Sequence, residues 1–291
     1  MDKITVKAYG KINLGLDVLR KLESGYHEVK MIMQTVNLYD ELTFQKSKSG
    51  IQITTNQEEL PVNEDNLIYK AAKQVMDAYS LSEGVNIHLE KHIPVAAGMA
   101  GGSADAAATY EGMKQLFHLD FATEDMQKLG VKIGADIPYC VIGGTALSEG
   151  IGEVLTSLPT PPDCYLLIAK PEINVSTAFV YGNLKVQELK EHPDVDGIVR
   201  AINDQDLVVM CEKMKNVLES VTVTAYPVIE ELKEDMKQAG ALTSLMSGSG
   251  PTVFGIFDQE EKREAAYQAI LEKNITREVY KTEFVNCKQN S

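Results

Sequence analysis

The chain reads as an α/β protein of the α+β type, built in two parts, and three features carry that reading. A strand, a glycine-rich loop and a strong helix follow one another over residues 84–117. Pro159-Thr160-Pro161-Pro162-Asp163 is the densest cluster of backbone breakers. Beyond it the apolar periodicities run strand, helix, strand, strand, helix, strand, which is the βαββαβ order of a ferredoxin-like domain. The boundary is therefore set at the prolines, with an N-terminal mixed α/β domain over 1–160 and a C-terminal ferredoxin-like domain over 164–286.

In the first part, alternating apolar residues predict strands over 5–18, 29–37 and 41–46, followed by a helix over 66–79. Val85, Ile87 and Leu89 alternate with Asn86, His88 and Glu90, so 84–93 is a strand with one buried face. Helices over 103–117 and 123–134 come next, then glycine-punctuated strands near 143–148. After the prolines the strands fall at 164–169, 241–246, 252–257 and 278–285, and the helices at 228–238 and 260–272. Short helices fill 176–220, and the last four residues form a loose tail.

With 291 residues, 44% of them hydrophobic, the chain is long enough to bury a substantial core. No run of eighteen apolar residues is present and Met-Asp-Lys-Ile-Thr is not a signal peptide, so a soluble cytoplasmic protein is expected. Cys140, Cys164, Cys211 and Cys287 lie far apart with no ligand-like spacing, which points to reduced thiols and no metal site. His88 and His92 are four apart, but on a strand that spacing separates them by roughly 13 Å. A net charge of −14 excludes general binding to nucleic acid or anionic membranes, because counterion release needs clustered Lys and Arg. A monomer or weak homodimer acting on a small molecule is the remaining expectation.

The loop Pro94-Val95-Ala96-Ala97-Gly98-Met99-Ala100-Gly101-Gly102-Ser103-Ala104 is the strongest chemical signal. Glycines let backbone N–H groups approach an anion, and the helix that follows offers unpaired N–H groups and the positive end of its dipole. The same residues could also be a helix entrance with Ser103 as N-cap. No Lys-Ser or Lys-Thr closes the loop and Gly-x-Gly-x-x-Gly is absent, so neither the Walker nor the Rossmann scheme applies.

Four other segments carry candidate chemistry. Lys11 and Asn13 share one face of a strand whose other face is Ile12 and Leu14, and such a pair can contact a reacting oxygen or simply be solvated. Asp136, in Gly134-Ala135-Asp136-Ile137-Pro138, is an N-cap or a carboxylate that takes a proton from an attacking hydroxyl. Tyr26 and His27 sit in a turn and can stack on and hydrogen-bond to a base, as can Tyr181, or serve as plain turn residues. Ser247-Gly248-Ser249-Gly250 is a second glycine loop, either a wide hairpin or part of a polyphosphate grip between domains.

Taken together, Gly10-Lys11-Ile12-Asn13-Leu14, Pro94 to Ala104 with Asp105-Ala106-Ala107-Ala108, and Ser247 to Phe254 resemble the GHMP kinases, the family of galactokinase, homoserine kinase and mevalonate kinase. Ser24-Gly25-Tyr26-His27-Glu28, the Gly-Met-Ala-Gly-Gly-Ser form of the loop and Gly134-Ala135-Asp136-Ile137-Pro138 resemble the branch that acts on a cytidine diphosphate-linked methylerythritol. The resemblance implies a two-domain GHMP kinase fold, ATP on Pro94 to Ala104, and transfer of its γ-phosphoryl group to a hydroxyl of that substrate. It implies Asp136 as base and Lys11 as the charge stabiliser. It also implies Tyr26 and Tyr181 around the cytosine, His27 on its edge, Asn13 and Thr177 on the methylerythritol or diphosphate side, and Ser247 and Gly248 beside the substrate.

Mg²⁺ is expected with the ATP, with Ser103 the nearest hydroxyl and no side chain otherwise assigned to it. Two departures stand out. Tyr9-Gly10 replaces the family's Pro-Ala, and Ala104 replaces a second serine, removing a hydroxyl beside the phosphates. Other readings are a GHMP kinase for another alcohol such as mevalonate, or a catalytically idle nucleotide sensor.

Overall fold

The computed structural model describes residues 3–286, and these residues form two sheets. Its first two strands, β1 (Lys3–Lys21) and β2 (His27–Ser47), make one long antiparallel hairpin. β3 (Ile51–Thr55) runs parallel to β4 (Gly84–Glu90), which pairs with the last third of β2, while β5 (Thr145–Glu149) pairs with Met31–Gln34 of β2 on the edge opposite β1 and β6 (Val154–Leu158) pairs with β5. The sequence predicted a break in the second strand near 38–40. β2 instead runs through, because a register shift between Tyr9 and Lys11 absorbs the irregularity in β1. Asp40, which interrupts the apolar pattern, is buried and accepts N–H groups from His92 and Ile93.

Four helices belong to the first part: α1 (Leu67–Ala78), α2 (Gly101–Phe117), α3 (Thr123–Gly130) and α4 (Ile137–Ile142). α1 starts where Asn66 Oδ1 accepts the Ile68 N–H. α3 ends four residues before the predicted 134, since Ile133 and Gly134 turn back onto the Gly130 carbonyl. β3 and β6 are short and flanked by polar residues, and their alternation was too brief to register as separate strands.

The second sheet contains β7 (Tyr165–Lys170), β8 (Thr243–Met246), β9 (Val253–Phe257) and β10 (Glu278–Thr282), in the order β10-β7-β9-β8 and antiparallel throughout. This is the predicted ferredoxin-like arrangement. Between β7 and β8 lie α5 (Thr177–Asn183), a 3₁₀ turn (Val186–Glu188), α6 (Val195–Asn203), α7 (Leu207–Lys213), α8 (Glu219–Ala225) and α9 (Val228–Gln238). α10 (Glu260–Lys273) joins β9 to β10. Cys140, Cys164 and Cys211 are free, as predicted, whereas Cys287 and the predicted tail lie outside the described residues. Among the described residues no helix is long and apolar enough to cross a membrane.

The two sheets share a core. Ile12, Leu14, Ile32 and Met99 from the first part pack with Leu166, Ile168, Phe254 and Ile256 from the second and with Ile198 and Met210 between them. The segment after β10 seals the seam, with the Val285 N–H donating to Thr35 O and Gln34 Nε2 to Val285 O. Cleft walls drawn from both sheets are therefore held in fixed relation.

α2 lies on the first sheet through Gly112, where an added Cβ would meet the Phe44 ring at 2.3 Å. Gly112→Ala overpacks this contact, and a loss of about 1–3 kcal/mol is expected from urea unfolding.

Candidate functional site

The glycine loop runs from the end of β4 to the start of α2. Ala96, Gly98 and Ala100 all have positive φ, at 52°, 69° and 57°. Alternation of left-handed with ordinary residues curls successive N–H groups toward one side, which makes an anion-binding concavity. Two alanines in that conformation cost about 1–2 kcal/mol each, so tertiary contacts must hold the shape. The helix N-cap is Ala100 and no side chain caps it, which corrects the reading of Ser103 as the cap. The first intrahelical bond is Ala104 N–H to Ala100 O, leaving the N–H groups of Gly101, Gly102 and Ser103 without an intrahelical acceptor.

This loop forms part of a cleft of about 990 Å³. Pro94, Val95, Ala96, Ala97, Gly98, Ala100, Gly101, Gly102 and Ser103 line it, together with Lys11, Asn13, Tyr26, His27, Asp136, Thr177, Tyr181 and Gly248. Three expected site residues stand off its wall. Met99 and Ala104 are fully buried in the hydrophobic core, so a hydroxyl at 104 would face packing and not the cleft. Ser247 is buried too, and its Oγ donates to Gly98 O at 3.0 Å.

Lys11 and Asn13 sit between two register shifts of β1, Tyr9/Lys11 and Asn13/Gly15, which aim both side chains into the cleft while Ile12 and Leu14 face the core. The buried Lys11 Nζ donates to Asn13 Oδ1 at 2.7 Å and to Gly98 O at 3.2 Å. Gly98 O thus takes bonds from Lys11 and Ser247 at once. Gly98 has to be glycine: a Cβ there would lie 2.3 Å from Ser247 O. The two glycine loops of the sequence are interlocked at this residue.

Asp136 is the N-cap residue of α4, yet its side chain makes no capping bond, so its carboxylate is not engaged by the helix it precedes. Ser103 Oγ approaches the same turn, lying 3.7 Å from where a Gly134 Cβ would be. On the far wall the His27 and Tyr181 rings are 5.2 Å apart and tilted by 42°, and Tyr26 is 62% exposed at the hairpin tip, free to move onto a ligand. Burial and the Lys21 charge lower the His27 pKa, keeping the ring neutral at pH 7. Burial pushes the Tyr181 hydroxyl up, with Asp136 adding to the effect.

Sequence reasoning missed a buried charge cluster beside the loop, of which Lys91 and Asp105 also line the cleft. Lys91 Nζ bonds Asp105 Oδ2 at 3.0 Å and Asp40 Oδ2, with all three side chains inside. Burial alone would lower the Lys91 pKa, but Asp105 and Asp40 more than offset it. Burial pushes the Asp105 carboxyl up, with Lys91 opposing the shift. Gly101 leaves room for the ammonium, since a Cβ there would be 2.9 Å from Lys91 Nζ. The polar run Glu90-Lys91-His92 just before Pro94 was the available signal. Leu60, Pro61 and Asn66, from the β3–α1 connection, and Leu67 at the start of α1 also line the cleft and were likewise not foreseen.

Residues 66–144 match the GHMP kinases N terminal domain, and residues 197–276 match the GHMP kinases C terminal. The chain is 53% identical to the 4-diphosphocytidyl-2-C-methyl-D-erythritol kinase of Lachnoclostridium phytofermentans, with 99% of each chain covered. It is 52% identical to the enzyme of that name from Lachnospira eligens, covering 97% of this chain and 99% of the relative. A crystal structure of a 4-(cytidine 5'-diphospho)-2C-methyl-D-erythritol kinase superposes with a TM-score of 0.83 at 28% identity, covering 97% of this chain and 99% of that one. Homoserine kinase from Cytophaga hutchinsonii, at 21% identity and a TM-score of 0.79 over 98% of this chain and 96% of its own, shares the fold.

Lys91→Met removes the only ammonium bonded to Asp40 and Asp105 among the described residues. Two buried carboxylates are then uncompensated, and a loss of about 3–5 kcal/mol is expected in urea unfolding at neutral pH.

Proposed function

The chain belongs to the GHMP kinase family, and from that premise we propose that it phosphorylates the 2-hydroxyl of 4-diphosphocytidyl-2-C-methyl-D-erythritol with ATP, in the non-mevalonate route to isoprenoid precursors. The observation that carries this reading is one cleft lined by a backbone anion cradle, a buried lysine and a carboxylate that caps nothing. Phosphoryl transfer needs little covalent help from a protein; it needs positioning and charge stabilisation, which these three parts supply.

In this reading the loop 94–104 and the first turn of α2 hold the triphosphate of ATP through N–H groups and the helix dipole. The nucleoside end extends toward Leu60, Pro61, Asn66 and Leu67. The acceptor lies opposite. Tyr26 and Tyr181 flank the cytosine, His27 bonds its edge, and Asn13 and Thr177 hold the methylerythritol diphosphate, with Gly248 beside it. Asp136 takes the proton of the 2-hydroxyl as its oxygen attacks the γ-phosphorus. The new O–P bond forms as the bond to the β–γ bridging oxygen breaks, ADP leaves, and Lys11 stabilises the negative charge on the transferring group.

Mg²⁺ needs only one or two protein ligands beside the phosphates, and the cleft-lining Ser103 hydroxyl is a donor of that kind. When bound, the ion neutralises charge on the phosphate oxygens. The enzyme is read as cytoplasmic, where ATP is supplied, and as acting alone or as a weak homodimer. Its domain boundary is assigned to 159–163, between the last strand of the first sheet and the first strand of the second.

Asp136→Asn keeps the shape and removes the base. Turnover of the cytidyl acceptor is expected to fall on the order of 10²–10⁴-fold with ATP binding retained. Near-normal turnover in a coupled ATPase assay removes Asp136 as the base, and equal turnover of mevalonate by the parent protein removes the acceptor assignment.

His27 gives a pH signature. Its lowered pKa means the ring gains a proton only below the ordinary value of about 6.5, where it loses its acceptor nitrogen. The acceptor KM is expected to be flat above that pH and to change below it, and His27→Gln should abolish the change. An unaltered profile in His27→Gln argues against the contact.

A further inference from the structure

The loop between β8 and β9 is gripped by α8 and by the short connection that precedes it. Asn216 is buried, and its Nδ2 donates to Met246 O at 2.8 Å and to Gly248 O at 2.7 Å, while its Oδ1 accepts the Leu218 N–H. Three residues on, Glu219 Oε1 accepts the Met246 N–H at 2.7 Å and Oε2 is paired with Lys233. Three further on, the single proton of the buried Thr222 Oγ1 is shared between Ser249 O and Leu218 O, both at 3.3 Å. Glu219 and Thr222 are three apart on α8 and share a face, and Asn216 lies in the connection just before the helix, so the three together meet the loop backbone at 246, 248 and 249.

The same segment is fastened to the strand that carries Lys11. Leu16 N–H donates to Lys215 O and Val217 N–H to Leu16 O, both at 3.0 Å. The loop in turn touches both sides of the cleft. A Cβ at Gly248 would lie 3.5 Å from Lys11 Nζ and 3.6 Å from Asn13 Oδ1. Ser249 Oγ is 2.9 Å from Thr177 Oγ1, on the helix that carries Tyr181. None of the three gripping side chains lines the cleft, so their effect on a ligand is indirect.

We propose that Asn216, Glu219 and Thr222 are positioning residues that set the 247–250 loop against Lys11 and Thr177, and that the rate of transfer depends on this grip. The proposal rests on the kinase reading above. Misplacing a reacting group by about 1 Å can cost on the order of 10²-fold in rate.

The test uses the full chain with Asn216→Asp, Thr222→Val, Glu219→Met and Glu219→Gln, reading kcat, both KM values, the thermal midpoint and amide exchange over 246–250. Asn216→Asp turns a carboxylate toward two carbonyl oxygens, and kcat is expected to fall on the order of 10²-fold with the ATP KM within about threefold of the parent. Thr222→Val and Glu219→Met should show a smaller fall, about three- to tenfold, with faster exchange in the loop. Glu219→Gln keeps an acceptor for the Met246 N–H and should restore kcat to within about threefold of the parent. If Asn216→Asp does not fold, the two Glu219 variants and Thr222→Val decide. Unchanged loop exchange in every folded variant, or kcat within about threefold of the parent despite faster exchange, overturns the proposal; a lowered thermal midpoint alone also overturns it. Failure of the parent protein to turn over the cytidyl acceptor instead overturns the kinase reading, and loop exchange still reports on the grip.

Discussion

The carbonyl oxygen of Gly98 is the point on which the rest of the cleft depends. It accepts Lys11 Nζ from the first strand and Ser247 Oγ from the second sheet. One backbone atom thereby fixes the cation of the site, the crown of the anion cradle and the loop that closes it. The arrangement also explains how the chain tolerates left-handed alanines at 96 and 100. Their strain is offset by bonds that exist only when both sheets are in place. A shared core of Ile12, Met99, Leu166 and Phe254 provides that framework.

Charge is handled in two ways around the cradle. The loop presents N–H groups beside Lys11, while Lys91, at the buried edge of the same cleft, is held between two carboxylates. Asp105 keeps one oxygen, Oδ1, without a hydrogen-bond partner, so the cluster is held by charge more than by complete hydrogen bonding. An overall net charge of −14 would repel a triphosphate at long range. The affinity of this site must therefore come from local donors at short range.

Much of this was legible in the sequence, for identifiable reasons. The glycine loop, Lys11 with Asn13, and the aromatic turn are local patterns whose chemistry is carried by neighbouring residues. The second sheet was predicted with its order of elements because β7 to β10 and α9 and α10 are separate, strongly periodic segments. What escaped reading is long-range. Asp40 looked like a strand break, and only its bonds to Lys91 and the loop amides 51 to 53 positions away make it a core residue. Asn216 and Glu219 sit in an unremarkable stretch, and their partners lie about thirty residues downstream. Met99, Ala104 and Ser247 were assigned to the site by adjacency, but alternate residues of a tight loop point to opposite sides.

The β1–β2 hairpin has a consequence for selectivity. The same pair of strands carries Lys11 and Asn13 midway along its length and Tyr26 and His27 at its tip. In the proposed reading, the tip meets the nucleobase and the middle meets the hydroxyl that is phosphorylated. The span between them is set by a count of paired residues and not by a mobile loop. The hairpin then works as a gauge, admitting acceptors by the distance from base to alcohol. A ligand with the right groups at the wrong separation would satisfy one end and leave the other unused.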